Sequence, residues 1–198
     1  CVVCKMQTIL CICELVPSIN CDTRVSLIIP INELRKSSNT GQLAHRCLQN
    51  SSLHLKGVQD THLDEAEILS STSYASAILY PCDGAIDLAT FKNSNTKKIN
   101  LIVPDGTWKQ ARKILKRSSC FAELPKVTIP TADSSPYILR RNHSVDQGLA
   151  TIEAIAIAIG ILEGSEARNS LRHIFRIMVE RTLFSRGLLK EKEVYGPR

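Results

Sequence analysis

The sequence predicts an α/β domain, in which a mostly parallel sheet is flanked by helices. Four short apolar runs each end at a proline, which lacks the backbone donor that a continuing strand needs. Runs of this length without clear alternation are typical of strands buried on both faces. Helical segments separate them, and strands that alternate with helices indicate a parallel sheet. The four runs are 25–30, 77–81, 100–104 and 127–130.

The segments between and after these runs have helical patterns. Segment 108–117 places Ala111, Ile114 and Leu115 in one apolar stripe. Ser144 and Gln147 have the spacing of a capping box, which predicts a buried helix from there to about residue 163. Further helices are predicted at 42–49, 63–69 and 166–185, and surface loops at 37–40 and 93–98.

The composition is that of an ordinary globular domain. The chain has 198 residues, of which 43% are hydrophobic and 22% are charged. Its formal net charge of +6 favours polyanionic partners. No window contains the roughly 18 consecutive apolar residues of a membrane span, and the start has no secretory signal pattern. We therefore expect a cytosolic protein without a membrane partner, and we expect residues upstream of Cys1; the oligomeric state is not predicted.

The chain opens with a compact set of cysteines. Cys1, Cys4, Cys11 and Cys13 place four thiols within thirteen residues. Four thiolates suffice for one tetrahedral zinc ion, and such a closed set leaves no position for substrate, so the ion would be structural. The alternatives are free thiols in a loop or a disulfide. We interpret residues 1–21 as a small zinc-binding segment and residues 22–198 as the main domain.

Asp105 directly follows Pro104 at the end of the third apolar run. Open parallel sheets bind ligands outside the carboxyl ends of their strands, so this carboxylate is placed to face a crevice. Gly106 permits a sharp turn, and Thr107 can cap the helix that begins at Trp108. Taken alone, Asp105 can also be only a helix cap, and Trp108 can be core packing.

Basic residues crowd the helix after this corner. Lys109, Arg112, Lys113 and Lys116 fall at steps of three and four, and therefore share a face. Such a face is usually only solvated, but beside a crevice it is a candidate phosphate-binding surface. Further basic patches are Arg140 with Arg141, and the row Arg168, Arg172 and Arg176.

Glu153 is a charged residue in a helix that is otherwise almost entirely apolar. A buried charge needs a partner. Either an arginine of the protein or an amine of a ligand can be that partner.

Taken in order along the chain, these motifs resemble the DTW-domain proteins, the tRNA-uridine aminocarboxypropyltransferases. One departure is Pro30-Ile31, where the family often has His-Pro. The matching pieces are the four-cysteine opening, Glu33, 38–41, 79–81, 105–108 with 110–112, 135–140 and 149–154.

The resemblance implies a SPOUT-like, knotted fold and transfer of the 3-amino-3-carboxypropyl group of S-adenosylmethionine to N3 of a tRNA uridine. Asp105, from its position and the resemblance, is the predicted catalytic base. The predicted cofactor-binding residues are Leu79, Tyr80, Pro81, Pro104, Gly106, Thr107, Trp108, Tyr137, Leu139, Leu149, Thr151 and Glu153. The predicted RNA-binding residues are Lys109, Arg112, Lys113, Lys116, Arg140 and Arg141. The competing interpretations are a SPOUT-like RNA methyltransferase and a non-catalytic, zinc-containing RNA-binding module.

Overall fold

A computed structural model describes residues 1–34, 36, 39–57, 63–130, 148–190 and 193–195. Four predicted site residues, Tyr137, Leu139, Arg140 and Arg141, lie outside these ranges. The connection from the last strand to the next helix, residues 131–147, lies outside them as well, so the knot stays a prediction.

Six strands of the described residues form one sheet, and the sheet is parallel, as the four apolar runs predict. They are ordered β2-β1-β5-β3-β6-β4, and every neighbouring pair is parallel. β1 and β5 lie side by side, with Leu27 opposite Val103. The strands are β1 (Arg24–Pro30), β2 (Ser51–Lys56), β3 (Tyr74–Leu79), β4 (Ile86–Asp87), β5 (Lys98–Pro104) and β6 (Lys126–Thr128).

Helices cover both faces of the sheet. On one face α2, α4, α7 and α8 enclose a large core that includes Leu27, Leu101 and Ile155. On the other face α3, α5 and α6 enclose a smaller core around Ile102 and Phe121. The helices are α1 (Ile31–Leu34), α2 (Thr40–Cys47), α3 (Glu65–Leu69), α4 (Leu88–Asn93), α5 (Trp108–Lys116), α6 (Ser119–Glu123), α7 (Thr151–Leu162) and α8 (Ser165–Ser185). Among the described helices, none combines the length and the apolar character that crossing a membrane requires.

The start of α7 differs from the prediction. Residues 148–150 are not helical, so the helix does not run continuously from the capping-box pattern near Ser144. It begins at Thr151, because the Oε2 atom of Glu153 accepts a hydrogen bond from the N–H of Ala150 at 2.8 Å. The buried carboxylate of Glu153 thus binds a backbone N–H at the start of its own helix, a partner that neither sequence interpretation proposed.

Candidate active site and metal centre

Asp105 lies where β1 and β5 end side by side. Its N–H donates to the carbonyl of Ile28 at 2.9 Å, so the ladder between the two strands continues to this residue. The side chain is only 3% exposed. The prediction that Asp105 stands at a strand end is confirmed, and its backbone is fixed by the sheet.

Two side chains hold the Asp105 carboxylate. The Nδ2 atom of Asn39 donates to its Oδ2 atom at 2.6 Å, and the hydroxyl of Thr151 donates to its Oδ1 atom. Asn39 is the N-cap of α2, and Thr151 is the first residue of α7. The carboxylate therefore lies against the amino ends of two helices, where a negative charge is favoured.

The packing around Asp105 leaves no space for a side chain at Gly41. At Gly41, inside α2, a Cβ atom would lie 2.9 Å from Asp105 Oδ2 and 3.1 Å from Leu27 Cδ2. Next to it, the N–H of Ile152 donates to the hydroxyl of Thr40 at 3.4 Å. The run 38–41 belongs to the motifs of the family resemblance, but no role could be assigned to Asn39, Thr40 or Gly41 from the sequence.

Gly41→Ala is expected to impair the site, although alanine in a helix is normally the more stable residue by about 1 kcal/mol. The new methyl group would displace the Asp105 carboxylate, and overpacking of this kind costs about 1–3 kcal/mol. Thermal unfolding and turnover test this expectation. Gly160→Ala is the matched control, because its Cβ would meet the Arg168 side chain and leave Asp105 untouched. Undiminished stability and turnover of Gly41→Ala would contradict the prediction.

The turn after Asp105 is held by hydrogen bonds at the start of α5. Thr107 and Gln110 form a capping box, in which Thr107 N–H donates to Gln110 Oε1 at 2.7 Å, and this confirms Thr107 as the cap. Gly106 has a φ of +110°, which explains the glycine at the turn. The Nε2 atom of Gln110 also donates to Glu33 Oε1 at 3.2 Å. The segment after β1 therefore contacts this turn twice, through Asn39 and through Glu33.

Trp108 is not a core residue. It is 49% exposed, and its ring meets the ring of Tyr80 edge to face with the centroids 5.9 Å apart. Tyr80 borders an open pocket of about 690 Å³, within the size range of small-molecule sites. The pocket is lined by Tyr80, Pro81, Cys82, Asp83, Arg112, Leu115, Lys116, Phe121, Ala122 and Lys126.

The predicted cofactor-binding residues fall into two groups around Asp105. Leu79 is the last residue of β3, and Tyr80 and Pro81 follow it. Tyr80 packs against the core beneath α5, next to Trp108. Leu149 and Thr151 lie at the start of α7, over the other face of the sheet. In the chain, the end of β5 and the turn before α5 lie between the two groups and carry Pro104, Gly106 and Thr107.

The basic face predicted on α5 is exposed. The side chains of Lys109, Arg112, Lys113 and Lys116 all face solvent, and no described carboxylate forms an ion pair with them. By contrast, Arg176 on α8 is paired with Glu180, with Nε and Oε1 2.6 Å apart. The face on α5 is therefore available to an anionic partner.

The four cysteines of the opening segment converge on one point. Their Sγ atoms all lie within 4.8 Å of one another. Two contacts, Cys1 to Cys13 and Cys4 to Cys11, measure 3.7 Å. Four sulfurs at about 2.3 Å from a central zinc ion would be about 3.8 Å apart. All eight cysteines are free thiols, so the disulfide interpretation of this cluster is not borne out. The set could hold a metal ion.

The cysteine segment is joined to the main core. Leu10 and Ile12 are 1% and 2% exposed, and Ile12 packs into the core beneath α7 and α8. Arg181 of α8 is 1% exposed, and its Nη1 atom donates to the carbonyl of Cys11 at 2.6 Å. Nothing in the sequence distinguishes this arginine from the other arginines of α8, so it was not predicted.

Comparisons with known proteins agree with these features. The model of the DTW domain family matches residues 1–183. A protein of Macaca fascicularis named tRNA-uridine aminocarboxypropyltransferase 2 is 29% identical over 165 residues, which are 81% of this chain and 55% of the relative. A protein of Mus musculus with the same name is 36% identical over 87 residues, 43% of this chain and 29% of the relative.

The chain thus matches about half or less of the length of these curated relatives. No solved structure matches it significantly. The family match, in contrast, extends from the cysteine cluster through the Asp105 corner and into α8. On this evidence the chain belongs to the DTW-domain family.

Proposed function

We propose that the chain transfers the 3-amino-3-carboxypropyl group from S-adenosylmethionine to N3 of a uridine in tRNA, and that methylthioadenosine is released. The match of the DTW family to residues 1–183 carries this proposal. The names of the two relatives, both tRNA-uridine aminocarboxypropyltransferases, support it. A site with a buried carboxylate at the strand ends and a basic helix beside it suits such a reaction.

The reaction exchanges a carbon–sulfur bond for a carbon–nitrogen bond and transfers one proton. A bond forms between uridine N3 and the side-chain methylene carbon of the donor, and the bond from that carbon to sulfur breaks, its electron pair going to sulfur. The N3 proton must leave. We assign Asp105 as the base that accepts it, because this carboxylate directly follows β5, at the edge of the sheet where open parallel sheets bind ligands. A general base needs fixed geometry first, and the two hydrogen bonds to Asp105 supply that.

Residues around the strand ends are proposed to hold the donor. The open pocket beside Tyr80 has a volume of about 690 Å³, within the range of small-molecule sites. The exposed indole of Trp108 and the ring of Tyr80 offer aromatic surface to an adenine ring. A sulfonium activates three carbons, so the position of the donor in this pocket decides which carbon reacts.

The basic face of α5 is proposed to bind tRNA phosphates. Lys109→Gln and Lys113→Gln, which lie outside the pocket lining, are each expected to reduce the slope of log affinity against log salt by up to about 1, because each replacement removes a phosphate contact. Fluorescence-anisotropy titrations of tRNA at several salt concentrations measure this slope. Arg176→Gln is the matched control, because its guanidinium is already paired with Glu180. An unchanged slope in both α5 variants would remove the helix from the RNA-binding surface.

The protein is proposed to act in the cytosol.

The cysteine cluster is proposed to hold one zinc ion with a structural role. The sulfur geometry supports a tetrahedral four-thiolate site. Such a site has no open position for substrate, so the ion would stabilise the opening segment and would not take part in transfer.

The decisive experiment incubates the purified protein with unmodified tRNA and S-adenosylmethionine. Mass spectrometry of the digested nucleosides and of the small-molecule products is then expected to show aminocarboxypropyl-uridine and methylthioadenosine in equal amounts. Methylated nucleoside with S-adenosylhomocysteine would replace the proposal by a SPOUT-like methyltransferase. Tight RNA binding that is indifferent to the donor, with no product on any RNA, would indicate a passive binding module.

A further inference from the structure

We propose that Asn39 and Thr151 are positioning residues, which orient the Asp105 carboxylate for proton removal. The inference rests on the proposed function for the identity of the reaction. Its structural basis is that each oxygen of Asp105 has its own donor, and that each donor is itself held in place.

The amide of Asn39 is held by the start of α2. Its Oδ1 atom accepts the N–H of Gln42 at 2.8 Å, as the N-cap of the helix. This bond decides the orientation of the amide, since its other end must then be the NH2 group that faces Asp105 Oδ2 at 2.6 Å. One side chain thus caps the helix and directs a donor at the carboxylate.

The hydroxyl of Thr151 is held by the start of α7. Thr151 is the first helical residue, and Glu153 fixes the backbone before it by accepting the N–H of Ala150. The branched Cβ of threonine restricts its side-chain rotation. The bond from Ile152 N–H to the Thr40 hydroxyl joins the two helix starts next to this point. The two donors therefore belong to one connected structure.

The consequence is a fixed carboxylate plane. The terminal torsion of an aspartate is otherwise soft and has a broad distribution. Donors on both oxygens remove this freedom, and a carboxylate can accept about four hydrogen bonds, so acceptor capacity remains for the substrate proton. Asn39 and Thr151 are 66 and 46 residues from Asp105, so the arrangement depends on the whole fold.

Three variants separate this role from mere stabilisation. Asn39→Ser retains an equally good helix cap but loses the NH2 donor. Thr151→Val removes the hydroxyl at nearly constant shape, and Thr151→Ser retains it. We expect Asn39→Ser and Thr151→Val to lower kcat by about 10- to 100-fold through misorientation. The KM values for donor and tRNA should stay close to those of the wild type, and Thr151→Ser should recover most of the lost kcat.

A matched control and melting curves accompany the kinetics. Asp64→Ser exchanges the N-cap residue of α3, whose carboxylate accepts the N–H of Glu67, and should leave kcat unchanged. Normal kcat in Asn39→Ser and Thr151→Val would overturn the inference. So would equal losses in Thr151→Val and Thr151→Ser, or a raised KM for the donor with normal kcat, which would instead make Thr151 a donor-binding residue. A wild-type chain without transferase activity would contradict the proposed function itself, whereas an active wild type with these unaffected variants contradicts only the positioning role.

Discussion

Asp105→Asn is expected to lower kcat for aminocarboxypropyl transfer by about 1,000-fold, within the range that general bases contribute. Binding of tRNA and thermal stability should change little. The uridine N3 proton would then have no carboxylate to accept it, while the basic face of α5, which is proposed to bind phosphates, stays intact.

The contacts of Asp105 explain why this exchange removes the charge and keeps the geometry. The amide oxygen of an introduced asparagine can still accept from Asn39 Nδ2. Its NH2 group can donate to the hydroxyl of Thr151, because a hydroxyl both donates and accepts. The three segments that meet at Asp105 therefore stay joined, and a loss of turnover reports on the chemistry.

Single-turnover rates with saturating tRNA and S-adenosylmethionine measure the effect. Asp87→Asn is the matched control, because the same atoms change at an aspartate that accepts hydrogen bonds at the start of α4, on the strand at the far edge of the sheet. Near-normal turnover in Asp105→Asn would exclude Asp105 as the base. The hydrogen bonds around it would then have only a structural purpose.

Loss of the proposed zinc ion is expected to have the largest effect on stability. Cys4→Ser, or a strong chelator, should lower the midpoint of thermal unfolding by about 10 °C, which corresponds to a few kcal/mol in a chain of this size. Without the ion, the four thiolates lose the metal–sulfur bonds that would hold the opening segment together. The same segment carries the buried Ile12 and the carbonyl that binds Arg181, so its release also opens the core beneath α8.

Elemental analysis should find one zinc ion per chain, and differential scanning calorimetry with and without chelator measures the shift. Cys120→Ser is the matched control, since Cys120 is exposed and lies outside the cluster. A chain that contains no metal, or one whose unfolding is insensitive to both chelator and Cys4→Ser, would contradict the structural zinc site.

The sheet could be predicted wherever a strand is buried on both faces. The four apolar runs correspond to β1, β3, β5 and β6, because central parallel strands must be apolar on both sides. β2 was missed because it is an edge strand of sequence SSLHLK, half-buried throughout, with no continuous apolar run. β4 has two residues, too few to produce any pattern.

The site could be predicted where the signal is local. The cysteine spacing and the position of Asp105 after a strand are both local, and the structure brings the cysteines together and places Asp105 directly after β5. The pairing of Asp105 with Asn39 and Thr151 joins distant segments, and no local pattern encodes it. The start of α7 was misplaced for a different reason. Ala150 occupies the N-cap but has no capping side chain, so the true start lacks the usual signature.

Trp108 is the only tryptophan of the chain, and it is half exposed beside the Asp105 turn. The tryptophan fluorescence of the protein therefore comes from this corner alone. A ligand that covers the ring will change the intensity or the wavelength of that emission, so donor and RNA binding can each be followed without a label. The same signal, read in Asp105→Asn, separates failure to bind from failure to react.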